Sequence, residues 1–192
     1  MRVIAGVAGG IRLCVPEADV RPTMDRVKAA IFSSLGERVL GARVLDLFAG
    51  TGALGIEALS RGAASAMFIE DNRNAVRAIE QNFIRTKLRG RVRAQEVFAF
   101  LEAVVPNERF DVIFADPPYE QTKTGGFFTD LLLQNAKLPR LLARSGTFVL
   151  EKRPAEELPE IGAWQIARAK KYGATEVLFL QREQTQPGLG EE

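Results

Sequence analysis

Short apolar runs alternate with segments of helical periodicity along most of the chain, and this alternation predicts a mainly parallel α/β sheet. The apolar runs predict strands at residues 44–48, 66–70, 92–95, 110–115 and 146–151. Helical patterns lie between them, at residues 53–61, 72–88, 97–104 and 127–143. Two further strands, predicted at residues 164–169 and 176–180, form an antiparallel hairpin. We therefore expect a seven-stranded sheet with an antiparallel edge formed by the C-terminal end of the chain.

A separate piece precedes the first strand. Residues 2–5 and 11–15 flank three glycines, a pattern typical of a β-hairpin. Thr23 is the predicted N-cap of a helix at residues 24–35, whose apolar side chains repeat at helical spacing. The chain is thus predicted to contain an N-terminal extension at residues 1–40, a main domain at residues 41–183 and a disordered tail at residues 184–192.

Histidine is absent from the 192 residues, and Cys14 is the one cysteine. These counts exclude Ser-His-Asp triads, Cys-His dyads, a disulfide within the chain and cysteine-based metal cages. No apolar run approaches the roughly 18 residues that a membrane helix needs. The N-terminus has no signal-peptide pattern, so a cytoplasmic protein is expected. Any catalysis has to proceed without an imidazole.

The net charge of +2 does not by itself indicate nucleic-acid binding, but basic residues are concentrated at residues 73–93. This segment contains seven arginines and lysines and one acid, Glu80. A solvated helix face is the more usual origin of such a run, and we favour it from the sequence. A surface that faces phosphate groups is the alternative.

A glycine-rich segment follows the first predicted strand, which ends near Asp46. Gly50 and Gly52 allow a tight turn and a close approach to a ligand, at the crevice where doubly wound sheets bind nucleotide-like molecules. Together with Gly55 they also match the dinucleotide pattern G-x-G-x-x-G. The carboxylate of Asp46 would repel a pyrophosphate, whereas it suits the ammonium group of a methionine moiety. S-adenosylmethionine is therefore the favoured ligand, and a dehydrogenase cofactor is the alternative.

Two acids at later strand ends could contact the same cofactor. Glu70 ends the second predicted strand and can accept hydrogen bonds from both ribose hydroxyls of either cofactor. Glu96 follows the third strand and could accept a hydrogen bond from the adenine amine. An acid at this position can equally complement the dipole of the following helix, so the sequence leaves the role of Glu96 open.

The motif Asp116-Pro117-Pro118-Tyr119 follows the fourth predicted strand. An exocyclic base amine is a poor nucleophile because its lone pair is delocalised into the ring. Asp116 and the carbonyl of Pro117 can each accept one amine N–H, which orients the lone pair and stabilises developing charge. The prolines hold that carbonyl rigidly, and Tyr119 offers a face on which a base can stack. Downstream of the glycine segment, this motif indicates methyl transfer to a planar amine.

These motifs belong to a wider set that resembles the RsmD-type 16S rRNA guanine-N2 methyltransferases, a bacterial family. The resemblance extends over nearly the whole chain, with matching stretches at residues 2–6, 21–27, 46–55, 60–63, 116–119 and 171–175. Residues 21–27 are the most specific stretch, because generic methyltransferases lack it. Thr51 stands where serine is more usual in the family, and either hydroxyl fits.

The resemblance implies a Rossmann-like class I methyltransferase fold, S-adenosylmethionine as donor without a metal, and guanine 966 of 16S rRNA, in the usual rRNA numbering, as target. We expect the substrate to be an assembled or assembling 30S particle, the enzyme to be a monomer, and the N-terminal extension to face the RNA. The candidate catalytic residues are Asp116, Pro117 and Tyr119. The candidate cofactor-binding residues are Asp46, Phe48, Gly50, Gly52, Glu70, Glu96 and Val97. The candidate RNA-binding residues are Arg21, Thr23, Arg26 and Pro118.

Three other functions remain open. DNA adenine-N6 methyltransferases also use Asp-Pro-Pro-Tyr, but they usually carry a target-recognition domain, for which 192 residues leave little room. Methylation of a protein glutamine amide involves similar chemistry, but Asn rather than Asp usually opens that motif. A non-catalytic RNA-binding assembly factor could retain the cofactor pocket, although the intact Asp116 argues against it.

Overall fold

The computed structural model describes residues 1–16, 25–105, 107–118, 127–154 and 156–183. Within them the strands are β1 (Arg43–Leu47), β2 (Ser65–Glu70), β3 (Arg91–Ala94), β4 (Phe110–Ala115), β5 (Leu142–Lys152), β6 (Trp164–Tyr172) and β7 (Thr175–Arg182). The α-helices are α1 (Asp25–Leu35), α2 (Ala53–Ser60), α3 (Arg73–Thr86), α4 (Val97–Ala103), α5 (Phe128–Gln134) and α6 (Leu138–Leu141), and a 3₁₀-helix covers Gly36–Val39.

The seven strands form one sheet in the order β3-β2-β1-β4-β5-β7-β6. β1 to β5 are parallel, and β7 is antiparallel to both of its neighbours. The predicted fold class and the antiparallel C-terminal edge are confirmed: β7 lies inside the sheet between β5 and β6, and β6 forms the edge. The reason is burial: most residues of β7 are buried, whereas most residues of β6 are exposed. An edge position leaves the more polar strand in contact with water.

Alternation along the strands divides the core into two layers. Phe68 and Phe114 point to the side covered by α1, α2 and α3. Their neighbours Ile69 and Ile113 point to the side covered by α4, α5 and α6. Buried parallel strands have apolar residues on both faces, which explains why they read as nearly continuous apolar runs in the sequence.

The helix predicted at residues 127–143 is wrong as a single element. α5 ends at Gln134, and α6 begins at Leu138. The side chain of Asn135 accepts hydrogen bonds from the backbone N–H groups of Lys137 and Leu138, at 2.9 Å each, and so favours a new helix start over continuation. The next strand, β5, begins at Leu142, four residues before the predicted start at residue 146.

The N-terminal arm (residues 1–16) packs against the helical layer of α1, α2 and α3. Val3 and Ala8 are buried there. The predicted hairpin is limited to one antiparallel bridge, between Arg2 and Arg12. A longer strand ladder does not form because several backbone N–H groups of the arm donate instead to side chains of α2 and α3. Gly6 has a φ of 85°, and a Cβ there would lie 1.8 Å from the carbonyl oxygen of Ser60, so only glycine fits.

Glu57 of α2 is the central anchor of this arm, and its side chain has no solvent exposure. Its carboxylate accepts hydrogen bonds from the N–H groups of Ile4 (2.6 Å) and Ala5 (3.0 Å) and from Nε of Arg61 (2.7 Å). The ammonium group of Lys28, also fully buried, lies 3.5 Å away and donates to the carbonyl of Arg2. Burial lowers the pKa of Lys28, and the attraction of Glu57 only partly opposes this shift.

No helix in the described part of the chain is both long enough and apolar enough to cross a membrane. The predicted N-cap Thr23 and the predicted tail at residues 184–192 lie outside the described residues. The helix predicted to follow Thr23 is present, and its described residues are Asp25–Leu35.

Candidate active site

Acidic side chains from adjacent strands meet at the carboxyl edge of the sheet. Leu47 of β1 pairs with Ile69 of β2 on one side and with Ala115 of β4 on the other. Glu70 and Asp116 are the next residues along β2 and β4. The alternation of the strands directs both, together with Asp46, to the side of the sheet that carries α1, α2 and α3. The sequence motifs therefore come together at one site.

Asp46 is the most deeply buried member of this group, with an exposed fraction of 2%. One of its oxygens accepts a hydrogen bond from the N–H of Gly55 in the first turn of α2, at 2.8 Å. Burial raises the pKa of Asp46 well above its usual range. The hydrogen bond from Gly55 opposes this shift, whereas the neighbouring carboxylates of Asp116 and Glu70 reinforce it. A cation bound next to Asp46 would therefore stabilise its ionised form.

Glu70 fixes the turn between β1 and α2. Its carboxylate accepts hydrogen bonds from the N–H groups of Gly50 (2.7 Å) and Asn72 (2.9 Å). Burial raises the pKa of Glu70, and these two hydrogen bonds oppose the shift. The acid predicted to bind a ribose is thus also a structural element of the loop that it faces.

The glycine loop (residues 48–52) has a strained and compact backbone. Phe48 has a φ of 54°, and Gly50 and Gly52 have φ values of 55° and 76°. A left-handed conformation costs a residue with a Cβ roughly 1–2 kcal/mol, and such strain clusters at functional sites. A Cβ at Gly55 would lie 2.3 Å from the ring of Phe68, so this glycine permits α2 to pack closely on β2. The positive φ values of Gly50 and Gly52 and the close packing at Gly55 thus explain the glycines that the sequence predicted.

Asp116 is half-buried at the end of β4, followed by Pro117, which is buried, and Pro118, which is exposed. Leu47 of β1 pairs with Ala115 of β4, so Asp116 and Asp46 lie at neighbouring strand ends, and the negative charge of Asp116 helps to raise the pKa of Asp46. The motif thus opens from the sheet edge towards solvent, beside the glycine loop. Tyr119, predicted as the stacking residue, lies outside the described residues.

An aromatic cluster lies at the same edge, and Phe48 is its one member that the sequence analysis named as a candidate site residue. The rings of Phe48, Phe98 and Phe128 have centroids 5.6 to 6.3 Å apart. All three are only half-buried. They come from the residue after β1, from α4 and from α5, and their spacing in the sequence carries no periodic signal, so only the fold reveals the cluster. It provides a partly exposed apolar surface next to the glycine loop.

Glu96 caps α4. Its two carboxylate oxygens accept hydrogen bonds from the N–H groups of Phe98 (3.0 Å) and Ala99 (2.7 Å). One of the two interpretations left open by the sequence, the helix-start acid, is therefore present in the structure. Val97, the first residue of α4, is buried. Contacts of Glu96 and Val97 with a cofactor stay predictions.

Arg26 is exposed near the start of α1, and Arg21 lies outside the described residues, as does Thr23. The basic segment found in the sequence now has a definite place on the surface. Its seven side chains are all exposed, on α3, on β3 and on the turn between them. None of them forms an ion pair with a residue that the structure describes. These residues are Arg73, Arg77, Arg85, Lys87, Arg89, Arg91 and Arg93, and together they are called the basic edge.

Known proteins resemble this chain over nearly its whole length. The family model of conserved hypothetical protein 95 matches residues 1–181. Ribosomal RNA small subunit methyltransferase D of Escherichia coli K12 is 34% identical over 188 residues, covering 95% of this chain and 90% of that protein.

Two solved structures are also similar. A hypothetical protein of Thermus thermophilus superposes with a TM-score of 0.79 at 33% identity, covering 94% of this chain and 99% of the other. The 16S rRNA N2 G1207 methyltransferase of T. thermophilus, in complex with AdoMet and guanosine, superposes with a TM-score of 0.66 at 25% identity. That match covers 87% of this chain and 44% of the larger protein.

Proposed function

The chain belongs to the family of conserved hypothetical protein 95, the family of ribosomal RNA small subunit methyltransferase D, and from this premise we propose its function. It transfers a methyl group from S-adenosylmethionine to the exocyclic N2 amine of a guanine in 16S rRNA. Guanine 966, in the usual rRNA numbering, is the proposed target. The observation that carries the proposal is the meeting of Asp116 and Pro117 with buried Asp46 and Glu70 at one sheet edge.

The residues of the edge fit S-adenosylmethionine. Asp46 is a buried carboxylate beside the glycine loop, where an ammonium group would neutralise it and a pyrophosphate would be repelled. Glu70 can accept hydrogen bonds from ribose hydroxyls at the end of β2. The half-buried rings of Phe48 and Phe98 offer apolar surface for an adenine. The same glycines could also form the turn of a dinucleotide site. The negative charge of Asp46 favours S-adenosylmethionine over a dinucleotide, because it attracts an ammonium group and repels a pyrophosphate.

Bound S-adenosylmethionine supplies an electrophilic methyl group. The residues of the chain position and polarise the amine. The carboxylate of Asp116 and the carbonyl of Pro117 each accept one amine N–H, so that the nitrogen lone pair is available. Pro117 is buried and its φ is fixed by the ring, so its carbonyl is already in position before the amine binds. Tyr119 and the exposed Pro118 are proposed to contact the base. No imidazole is needed.

The basic edge supports RNA as the substrate. Its seven cationic side chains have no counter-ion among the described residues, and they form a surface that attracts a polyanion, although the net charge of the chain is only +2. The sequence favoured a solvated helix face, and full exposure is compatible with both interpretations. Arg21, Thr23 and Arg26 are proposed to contact RNA from the N-terminal extension.

A methyl-transfer assay with radiolabelled cofactor tests the proposal. We expect incorporation into the 16S rRNA of small subunits isolated from a strain that lacks the activity, at guanine N2. Incorporation into DNA but not rRNA would support the adenine-N6 alternative instead. Absence of any transfer, despite cofactor binding, would support an assembly factor. A comparison of 30S particles with protein-free rRNA tests the further proposal that the particle is the better substrate.

The role of Asp116 has its own test. Asp116→Asn should lower kcat by about 100-fold or more and change the affinity for S-adenosylhomocysteine by less than about threefold, because Asp116 acts on the amine. Asp111→Asn is a matched control on β4, the strand that directly precedes Asp116, and Asp111 there forms an ion pair with Arg43 at 3.0 Å. The control should retain near-normal turnover, and an active Asp116→Asn variant would refute the assigned role.

A further inference from the structure

Asn82 of α3 is fully buried, which is unusual for asparagine. Its Oδ1 accepts a hydrogen bond from the N–H of Cys14 at 2.6 Å. Its Nδ2 donates to the carbonyl of Cys14 at 3.1 Å and to the carbonyl of Thr51 at 3.0 Å. Both amide hydrogens and the amide oxygen are therefore used. One side chain binds two backbone segments that are distant in the sequence.

The two segments have different roles. Cys14 lies in the N-terminal arm, close to the end of its described part. Thr51 lies in the glycine loop, between Gly50 and Gly52, and is itself buried. Met1 adds a second contact between the same two segments, because its sulfur lies 3.8 Å from the hydroxyl of Thr51. These contacts therefore fix the position of the arm relative to the glycine loop.

Filling the space does not explain an asparagine at this position. A leucine has a similar size and needs no hydrogen-bond partners in a buried site, whereas a buried amide costs free energy unless all its polar atoms are paired. Here each bond of Asn82 goes to backbone outside its own helix. The geometry is that of a connector between two segments.

We infer that Asn82 is a positioning residue that couples cofactor binding at the glycine loop to the position of the N-terminal arm. The inference rests on the proposed function for its cofactor. A ligand that orders the glycine loop also orders the carbonyl of Thr51 and, through Asn82, the backbone at Cys14. Linkage then requires the reverse effect: an arm held in place, for example by RNA, favours cofactor binding.

Cys14 provides the test without any engineered probe, because it is the one cysteine of the chain and is partly exposed. The rate of its alkylation by a maleimide is measured with and without saturating S-adenosylhomocysteine. In the wild type, the ligand should slow alkylation by about fivefold or more, the lower end of typical coupling between sites. Calorimetry on the same samples establishes whether the ligand is bound.

Two variants and one control separate coupling from general loosening of α3. Asn82→Leu removes all three hydrogen bonds. Asn82→Asp keeps the acceptor for the N–H of Cys14 but loses the donors to the carbonyls of Cys14 and Thr51, and it replaces the leucine variant if that variant fails to fold. Thr86→Val, one turn along α3, removes a bond to the backbone of the helix itself (2.6 Å to the carbonyl of Asn82) and leaves the bonds of the Asn82 side chain in place.

Both Asn82 variants should react faster at Cys14 and lose the protection by S-adenosylhomocysteine, whereas Thr86→Val should retain it. In turnover, the apparent KM for 30S particles should rise about fivefold in the Asn82 variants, with kcat changed by less than about twofold. Equal protection in wild type and Asn82 variants would overturn the coupling. Bound ligand without protection in the wild type would do the same. Absence of ligand binding would instead refute the proposed function, and the coupling with it.

Discussion

The buried pair of Glu57 and Lys28 predicts an asymmetric response to mutation. Glu57→Gln replaces a carboxylate that faces the N–H groups of Ile4 and Ala5, Nε of Arg61 and the ammonium of Lys28. The amide keeps one acceptor oxygen, and its NH₂ group has to face at least one donor. A buried cation is also left without its counter-charge.

Removing one partner of a buried ion pair costs roughly 3–5 kcal/mol. Since the amide retains one acceptor, we expect the lower end, about 3 kcal/mol, for Glu57→Gln. In a protein of this size each kcal/mol shifts Tm by about 2–4 °C, so Tm should fall by about 6–12 °C. Lys28→Met should cost about 1 kcal/mol or less. The pKa of Lys28 is lowered by burial, which means that its charge is unfavourable in the folded state, and Glu57 keeps three other donors.

Thermal and urea unfolding of the two variants measure this difference. Glu102→Gln is the control, because its ion pair with Lys137 is solvent-exposed and should contribute less than about 1 kcal/mol. Equal destabilisation by Lys28→Met and Glu57→Gln would refute the reasoning, since it would mean that the pair, and not the anchoring of the arm by Glu57, carries the free energy.

Three further predictions concern the site and its surroundings. Burial raises the pKa of Asp46, so the folded state loses stability as pH rises through that pKa and the side chain ionises. Asp46→Asn should therefore have a higher Tm than wild type at pH 7–8, and the difference should be smaller near pH 4. Calorimetry should show that the same variant binds S-adenosylhomocysteine more weakly. Gly55→Ala gains about 1 kcal/mol of helix propensity but crowds Phe68, at a cost of about 1–3 kcal/mol, so unfolding should show net destabilisation, and an unchanged Tm would count against the close packing. Arg77→Gln with Arg91→Gln should reduce the slope of log affinity for rRNA against log salt by about 1–2, and an unchanged slope would exclude both from phosphate contact.

Much of the fold is predictable from the sequence because buried parallel strands and amphipathic helices have local signatures. The start of β4 at Phe110 and the start of α2 at Ala53 follow from such patterns. The break between α5 and α6 does not, because apolar residues continue through it and the interruption depends on the side chain of Asn135. The sequence analysis also left open which strand of the C-terminal hairpin forms the sheet edge, and the structure places the more exposed β6 there.

For the candidate site too, some features are predictable from the sequence and others are not. Asp46, Glu70 and Asp116 are predictable, because a glycine-rich turn and a proline-rich strand exit mark the carboxyl ends of parallel strands. The sequence alone thus determined the sheet, the edge that carries the site, and the residues aimed at it.

Only the tertiary structure decided how those residues are held. Glu57 and Asn82 look like ordinary polar positions of helices, and their partners Ile4 and Cys14 lie 53 and 68 residues away. Periodicity reports which face of an element is buried, but it carries no information about which distant backbone group satisfies a buried polar side chain. That pairing depends on how α2 and α3 pack beside the N-terminal arm, and so does the coupling that we infer.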